Sequence, residues 1–316
     1  MSNDNETSTN ATPQLLDLTI ENLTKNVKLV NSQTPNIRLK YLMEKLVDYL
    51  HDYVRETRLT IEELNMAIKF LTECGHMCTD VRQEFILLSD VLGVSVLVDA
   101  INNPKPANAT ESTVLGPFYT EDAEDVVNGD SIASPGKGEI CLVLATVKDT
   151  KGNPIKGAKI DVWETDSNGL YDNQYDERNR PDMRGRLTSN ENGEVFFKCV
   201  KPVLYPIPND GPVGKLLEKL HRPAYRPSHI HFRIHVPESI YDDLVTALYM
   251  RGDPYESNDA VFGVKKSLIV NLEKVKDPLI AKKYDVNEQD WLIRYDFVLT
   301  TKDETQALLT TSKIDQ

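Results

Sequence analysis

The sequence predicts a mainly β protein, in which a β-sandwich domain follows an α-helical region. Three observations predict this class. Apolar residues in the first hundred positions recur at three- and four-residue spacing, which is typical of helices. A linker rich in Pro and Asn, Asn102–Asn108, ends that region. Short β-rich segments separated by turn signals follow it. We therefore expect a disordered tail over residues 1–13, a helical region over 14–105 and a β-sandwich domain over 106–316.

Composition limits the partners of the protein. The chain has 316 residues and a net charge of -13, so nucleic acid and anionic membrane surfaces are disfavoured as partners. The sequence has no apolar run long enough to span a membrane, which predicts that it is not an integral membrane protein. Residues 1–14 lack the pattern of a signal peptide, and four cysteines are too few for a disulfide framework. These features favour a cytoplasmic location.

One apolar stripe marks the first predicted helix. Its members recur at helical spacing: Leu39, Leu42, Met43, Leu46, Leu50, Tyr53 and Val54. Thr60 and Glu63 have the spacing of a capping box, so a second helix is predicted to start there and to run through Leu71. A third helix is predicted over Asp80–Ile101. Its inward side is predicted to carry Phe85, Leu88, Leu92 and Val96.

The second part of the chain predicts strands. Turn signals at Lys151–Pro154 and Asn190–Gly193 separate segments of β-branched and aromatic residues. The predicted strands are Glu139–Val147, Lys159–Trp163, Glu194–Val200, Ser228–Val236, Leu244–Met250, Ser267–Leu272 and Trp291–Thr300. One short helix, Val213–His221, is predicted among them. Successive short strands without alternating helices favour a sandwich.

A His-x-His pair within Ser228–Phe232 is the first chemical signal. Residues two apart in a strand share a face, so His229 and His231 project together and are able to bind one metal ion. The alternative is that both are half-buried strand residues with ordinary hydrogen-bond partners. His235 lies on the same face near the strand end, which favours a partly exposed structural role.

Two tyrosines stand in segments with strongly directed backbones. Tyr171 follows a predicted strand and a Ser-Asn-Gly turn, and Tyr205 precedes a run rich in Pro and Gly. Packing is the alternative explanation for each. By contrast, Cys74 and Cys78 share a helix face from which His76 points away, so these thiols are predicted to be core residues. Trp163 and Trp291 are likewise interpreted as core aromatics.

Four motifs together resemble the intradiol ring-cleavage dioxygenases, the family of catechol 1,2-dioxygenase and hydroxyquinol 1,2-dioxygenase. They occur in the family's order: Leu115-Gly-Pro-Phe-Tyr119, Asp161-Val-Trp-Glu-Thr-Asp-Ser-Asn-Gly-Leu-Tyr171, Tyr205-Pro-Ile-Pro-Asn-Asp-Gly-Pro-Val-Gly214 and Arg226-Pro-Ser-His-Ile-His-Phe232. The resemblance runs from about Thr19 to Lys302 and includes Val81–Asp90.

The resemblance implies one non-haem Fe(III) per chain, held by Tyr171, Tyr205, His229 and His231. Phenolates are hard anionic donors that favour a trivalent ion. It also implies that Tyr205 leaves the iron and takes a proton when substrate binds, that Tyr171 stays, and that Arg226 stabilises negative charge on the ring. The implied partners are a small aromatic diol and O₂, with a homodimer formed through the N-terminal helices and lipid at the helical interface.

The implied reaction opens catechol to cis,cis-muconate, or hydroxyquinol to maleylacetate, in aromatic compound catabolism. The sequence does not rank these two substrates. An apolar pocket wall is expected at Leu115, Gly116, Pro117 and Phe118, with Arg226 also binding substrate. Two other classes stay open: a zinc-dependent hydrolase using His229 and His231, which lacks a His-Glu-x-x-His signature, and a non-catalytic β-sandwich binding module.

Overall fold

The structure is a computed structural model that describes residues 14–15, 17–79 and 82–314. The predicted tail over residues 1–13 lies outside the described residues. The chain forms two compact units, one ending at Thr72 and the other beginning at Glu73. The described helices are α1 (Leu23–Asn31), α2 (Ile37–Thr57), α3 (Ile61–Met77), α4 (Glu84–Val91), α5 (Val94–Asn102), α6 (Pro212–Lys219), α7 (Pro278–Tyr284) and α8 (Lys302–Ile314).

In the first unit, α1 and α2 pack together. The Asn36 side chain accepts a hydrogen bond from the Leu39 N–H at 2.9 Å and starts α2. Arg58, in the left-handed region at φ 52°, ends it. Val47 is buried, whereas the predicted apolar stripe is exposed except for half-buried Met43. The stripe therefore remains an uncovered apolar surface of the single chain.

The capping box that starts α3 is confirmed. The Thr60 N–H donates to Glu63 and the Glu63 N–H donates to Thr60 Oγ1, at 2.8 and 3.2 Å. The single helix predicted over Asp80–Ile101 is wrong. Gly93, at φ 73°, adopts a left-handed conformation that separates α4 from α5. Asp80 itself lies outside the described residues.

The predicted inward side of that segment is also wrong in part. Phe85 and Leu92 are 45% and 57% exposed, because α4 buries the side that carries Leu87 and Val91 instead. Leu88 and Val96 are half-buried.

Two main sheets form the second unit, as the predicted sandwich requires. The strands are β1 (Ile140–Asp149), β2 (Lys159–Trp163), β3 (Arg184–Thr188), β4 (Glu194–Val200), β5 (Tyr205–Pro206), β6 (Tyr225–Arg226), β7 (His229–His235), β8 (Leu244–Met250), β9 (Ile269–Val270), β10 (Glu273–Lys274) and β11 (Trp291–Leu299). One sheet has the order β10-β11-β1-β4 and the other the order β3-β2-β7-β8-β9, while β5 pairs with β6. The β1–β11 and β8–β9 pairs are parallel and the others antiparallel, so both main sheets are mixed.

The core lies between the two main sheets. Phe232 of β7 contacts Phe297 of β11 and Phe197 of β4, at centroid distances of 4.9 and 6.5 Å. Alternate residues of β7, Ile230 and Phe232, point into this core and are fully buried. The other face of β7 is thereby left for the histidines.

Most predicted strands are confirmed, with small shifts at their ends. The predicted strand Ser267–Leu272 is wrong over most of its length, because a 3₁₀ turn at Lys266–Leu268 leaves Ile269–Val270 extended. Trp291 is half-buried at the core edge rather than inside it, and its Nε1–H donates to Glu139 at 2.9 Å. The pattern in the sequence missed the elements α1, β3, β5, β6, β10, α7 and α8.

Candidate metal and active site

His229 and His231 lie on one face of β7, as their spacing predicts. Both are buried, and their Nε2 atoms are 3.0 Å apart. The start of β7 is held by Asp253, whose carboxylate accepts hydrogen bonds from the Ser228 N–H and Oγ–H at 2.9 and 2.7 Å. The two imidazoles therefore project from a fixed backbone toward a common point.

Contacts with neighbouring residues orient the two histidine rings. Nδ1 of His229 lies 2.6 Å from the carbonyl oxygen of Pro227, so this nitrogen carries the proton and Nε2 keeps its lone pair for the cluster. The Trp163 ring stacks on His231, with centroids 4.9 Å apart and an interplanar angle of 2°. Nδ1 of His231 is buried without a hydrogen-bond partner among the described residues. Stacking, rather than a hydrogen bond, thus fixes the His231 ring.

Tyr171 is anchored by its own turn and by a buried ion pair. Gly169, at φ 78°, makes the turn, and a Cβ there would lie 2.9 Å from the Tyr205 Cβ. The next residue after the tyrosine, Asp172, is fully buried and pairs with the buried Arg184 and with Arg178. These contacts leave little freedom to the backbone that carries Tyr171.

Tyr205 lies in the two-residue strand β5, directly opposite Arg226 of β6. The following Pro-rich run ends at α6, where the Val213 N–H donates to the buried Glu84 carboxylate at 3.1 Å. Gly214 is required there, because a Cβ would collide with the backbone of Asn209.

The four predicted ligand side chains meet in one buried cluster. The Tyr171 and Tyr205 Oη atoms are 3.1 Å apart, and Tyr205 Oη is 3.4 Å from His229 Nε2. All four side chains are buried. Two oxygen and two nitrogen donors within contact distance of one another can surround a single cation.

Burial sets the protonation of the cluster. It raises the pKa of the Tyr171 phenol well above its usual range and also raises the pKa of Tyr205. Burial, with the nearby Arg226 charge, lowers the pKa of His229 to about 3 and lowers that of His231. The imidazoles are therefore neutral donors near pH 7, and the phenols need a positive charge beside them to ionise.

Arg226 places a fixed positive charge beside the cluster. It is buried, and Nη1 lies 3.2 Å from His229 Nε2. Its Nε–H and Nη2–H donate to the buried carboxylate of Asp259 at 3.2 and 3.3 Å, and Nη2–H also donates to Tyr249 Oη at 3.0 Å. The Asp259 charge raises the pKa of Arg226 against the opposing effect of burial. The guanidinium is thereby fixed in both charge and direction.

The residues predicted to form the pocket wall lie at different positions relative to the cluster. Phe118 stacks on Tyr171, with centroids 4.4 Å apart, and it lines a cavity together with Pro117. Gly116 lies against His231, because a Cβ there would be 3.7 Å from its Nε2. Leu115 is partly exposed and is not among the residues that line the cavity.

Sequence reasoning missed several residues of this region. Asp90 of α4 is buried and lines the same cavity as Phe118. Burial raises the pKa of its carboxyl, while a hydrogen bond with Ser95 and the Arg226 charge oppose that change. Asp259 and Asp253 are partners of Arg226 and Ser228 over long sequence separations. Of these three aspartates, only Asp90 had a signal in the sequence, because it is an acidic residue inside an apolar segment.

The cysteines and histidines outside the cluster do not form metal sites. Cys74 is buried, as predicted, whereas Cys78 is only half-buried and His76 is exposed. His235 is 47% exposed at its side chain and lies 3.2 Å from Asp243. The described residues contain no group of three or more His, Cys, Asp or Glu side chains suited to a metal. In the same part of the chain, no helix combines the length and apolar character that crossing a membrane requires.

The sandwich and its tyrosine–histidine cluster define the class of protein as a dioxygenase, since residues 114–301 match the family model described as "Dioxygenase". Residues 36–110 match a second model, described as "Catechol dioxygenase N terminus". The chain belongs to the intradiol ring-cleavage dioxygenase family, as the motifs predicted.

Individual relatives agree with this assignment. The chain is 55% identical to the intradiol ring-cleavage dioxygenase hqdA of Aspergillus niger, over 94% of this chain and 89% of that protein. It is 48% identical to the 6-chlorohydroxyquinol 1,2-dioxygenase of Cupriavidus pinatubonensis, over 84% of this chain and 95% of that protein. The crystal structure of hydroxyquinol 1,2-dioxygenase from Pseudomonas putida DLL-E4 is similar at a TM-score of 0.83 and 42% identity, covering 90% of this chain and 99% of that one.

Proposed function

We propose that the protein is an Fe(III)-dependent dioxygenase that cleaves hydroxyquinol and catechol between adjacent hydroxyls, with Tyr171, Tyr205, His229 and His231 as the iron ligands. The observation that carries this proposal is the buried cluster in which the two phenol oxygens are 3.1 Å apart and the two imidazole nitrogens 3.0 Å apart. A non-catalytic binding module would not need four such donors in contact.

The donor set fits a ferric ion. Hard phenolate oxygens with imidazole nitrogens suit a trivalent ion, and a nearby cation favours ionisation of the buried phenols. When bound, the ion withdraws electrons from the substrate oxygens and lowers their pKa. A zinc hydrolase is less well supported, because the described residues supply no third His, Cys, Asp or Glu ligand to the histidine pair.

The chain's own residues have distinct roles in this proposal. Arg226, fixed by Asp259, faces the cluster and stabilises negative charge on the diol ring. Tyr205 would hold the metal and would also accept one proton from the substrate, whereas Tyr171 would remain a ligand throughout. Tyr205 lies in a two-residue strand, whereas the buried Asp172–Arg184 pair holds the backbone beside Tyr171 in place.

The roles of the two tyrosines are tested by matched phenylalanine variants. Tyrosinate bound to ferric iron absorbs visible light, so both variants should lose part of that absorption. When substrate is added without O₂, Tyr171→Phe should lose most of its remaining tyrosinate band and Tyr205→Phe should keep it. Turnover should fall by about 10²–10⁴-fold in Tyr205→Phe, as expected for a lost positioned base. Identical spectral changes in the two variants would contradict the assigned asymmetry.

Asp90 supports hydroxyquinol as the preferred substrate. Hydroxyquinol has a third hydroxyl, and the buried Asp90 carboxyl, which also interacts with Ser95, is a hydrogen-bonding group in the lining of the cavity. A hydrogen bond between the third hydroxyl and this carboxyl would favour hydroxyquinol over catechol. Asp90→Leu should therefore lower kcat/KM for hydroxyquinol by about ten-fold or more and lower it less, or raise it, for catechol. An equal loss for both diols in steady-state assays would argue against this preference.

Metal analysis tests the site itself. Purified protein should contain about one iron per chain, and His229→Ala and His231→Ala should lose iron and activity together. The control is His235→Ala on the same strand, where the side chain is exposed and pairs with Asp243. Full iron content in either of the first two variants would mean that the site is misplaced.

We further propose a cytoplasmic homodimer with lipid at its helical interface, and a division of the chain into helical residues 14–105 and a catalytic domain at 106–316. The exposed apolar stripe of α2 supports the interface, because pairing would remove that surface from water. Sedimentation should give twice the chain mass, and Leu46→Lys should lower it while Leu279→Lys on α7 should not. A monomeric wild type would contradict the assembly, and a lipid-free organic extract would contradict the bound lipid.

A further inference from the structure

Tyr249 is a third buried tyrosine on the sheet face that carries the two histidines. It lies in β8 directly opposite His229 of β7, and residues opposite each other in paired strands share a face. The side chain is fully buried, and its ring centroid is 5.3 Å from that of His229. The proposed reaction gives roles to Tyr171 and Tyr205 and none to this tyrosine.

The Tyr249 hydroxyl contacts the guanidinium of Arg226. Its oxygen accepts a hydrogen bond from Arg226 Nη2–H at 3.0 Å. The Asp259 carboxylate accepts from Nε–H at 3.2 Å and from Nη2–H at 3.3 Å. Nη2 carries two hydrogens, so it can serve both acceptors. Because the guanidinium is planar and rigid, two acceptors on different residues restrain its rotation as well as its position.

The restrained guanidinium presents its third nitrogen, Nη1, to the ligand cluster. Nη1 lies 3.2 Å from Nε2 of His229, the nitrogen proposed to bind the metal. When that lone pair is given to a metal, the Nη1 hydrogens are left to interact with a bound diol. The direction of the guanidinium therefore decides whether its positive charge meets the negative charge that develops on the substrate ring.

Close packing confines the Tyr249 hydroxyl beside the guanidinium. The Thr113 side chain interacts with this hydroxyl and also donates to the carbonyl oxygen of Gly263 at 2.8 Å. A Cβ at Gly263 would lie 2.7 Å from Tyr249 Oη and 2.9 Å from Arg226 Nη2. The chain at this position therefore passes so close to both groups that a glycine is needed.

We propose that Tyr249 is a positioning residue, which directs the Arg226 guanidinium toward the substrate. This inference rests on the proposed function, because Arg226 must act on a diol held at the cluster. Asp259 supplies the opposite charge, whereas a tyrosine hydroxyl that keeps its proton supplies a neutral acceptor at a fixed place. Its contribution is therefore to the direction of the guanidinium rather than to its charge.

The first test removes the hydroxyl and keeps the ring. In oxygen-uptake assays with catechol on the full-length, iron-loaded protein, Tyr249→Phe should lower kcat by about ten-fold, since a hydrogen bond to a charged group is worth about that factor or more. The dissociation constant of catechol, from anaerobic titration of the visible band, should change by less than about three-fold, and the iron content should not change. The matched control is Tyr295→Phe, which should leave kcat unchanged, because the Tyr295 hydroxyl donates to the Ser267 carbonyl oxygen at 3.2 Å instead.

The second test does not depend on activity. Urea unfolding of the same full-length protein measures whether the hydroxyl and the guanidinium are coupled. Tyr249→Phe should raise the equilibrium constant for unfolding by about ten-fold in the wild type. In the Arg226→Met background the same change should raise it by less than about three-fold, because the hydroxyl has already lost its charged partner.

Each contrary result has a distinct meaning. A kcat for Tyr249→Phe within about two-fold of the wild type overturns the inference and leaves the proposed function intact. Loss of iron from this variant also overturns it, because the tyrosine would then act through His229. An equal effect on unfolding with and without Arg226 overturns it as well. Failure of the wild type to cleave either catechol or hydroxyquinol overturns the proposed function, and the role of Tyr249 with it.

Discussion

Replacing Asp259 by Asn removes the charge that faces Arg226 while keeping the size of the side chain. In the wild type the Asp259 carboxylate accepts two hydrogen bonds from the guanidinium, at 3.2 and 3.3 Å, and one from the Gly263 N–H at 2.9 Å. Burial acts to raise the pKa of Asp259, but the Arg226 charge outweighs it and lowers that pKa. The pair is therefore ionised and nearly free of solvent.

The expected cost follows from that burial. Side-chain exposures of 4% for Arg226 and 1% for Asp259 leave almost no water to replace a lost partner. Breaking such a pair typically costs about 3–5 kcal/mol, because the remaining charge stays buried. We expect about 3 kcal/mol for Asp259→Asn, since the amide oxygen still accepts one hydrogen bond, and about the same for Arg226→Met.

A double-mutant cycle measures the coupling of the two residues. Urea unfolding, followed by tryptophan fluorescence, gives the free energy of unfolding for the wild type, both single variants and the double variant. The double variant removes both charges of the pair and leaves neither without its partner, so its loss should be smaller than the sum of the single losses by about 2–3 kcal/mol. Additive losses, with coupling below about 0.5 kcal/mol, would refute the argument that this ion pair is strongly coupled.

Three further predictions use other parts of the structure. Gly214→Ala should destabilise the protein by about 2–3 kcal/mol, because its Cβ would collide with the Asn209 backbone, whereas the matched helix variant Gly75→Ala should be neutral or stabilising in the same unfolding assay. Hydrogen bonds from Arg178 lower the pKa of Asp122 from 3.8 to about 2, so this carboxylate stabilises the fold above about pH 4 and loses that effect as the pH falls through about 2. The melting temperatures of the wild type and Asp122→Asn should accordingly differ most above pH 4 and converge near pH 2, and a constant difference would contradict the assignment. Trp163→Leu should lower the iron content without abolishing folding, because the ring stacked on His231 at 4.9 Å orients that imidazole, and unchanged iron affinity in metal titrations would show that stacking has no such effect.

Local patterns in the sequence were enough to predict the long strands and the shared face of the two histidines. Alternation along β7 places Ile230 and Phe232 in the core and the two histidines on the opposite face, and this follows from the period of a strand. The capping box at Thr60 depends on side chains three residues apart. The four ligand candidates came from motifs that the family shares, and the fold brings all four into contact.

Local backbone conformation and contacts between distant parts of the chain decided the rest. The left-handed residue Gly93 breaks a segment that its apolar pattern alone predicts to be one helix. The two-residue strands β5 and β6 have no periodicity of their own and exist because each pairs with the other.

The sequence by itself predicted the fold class and the strand that carries the histidines, because these depend on local spacing and residue type, and its family motifs supplied the four candidate donors. Tertiary structure alone decided that Asp259 neutralises Arg226 and that Asp90 lines the cavity. Arg226 and Asp259 are 33 positions apart, and Asp90 and Arg226 are separated by still more of the chain. The physical reason is that buried charges and cavity walls are made between elements, so they depend on how those elements pack rather than on any one segment.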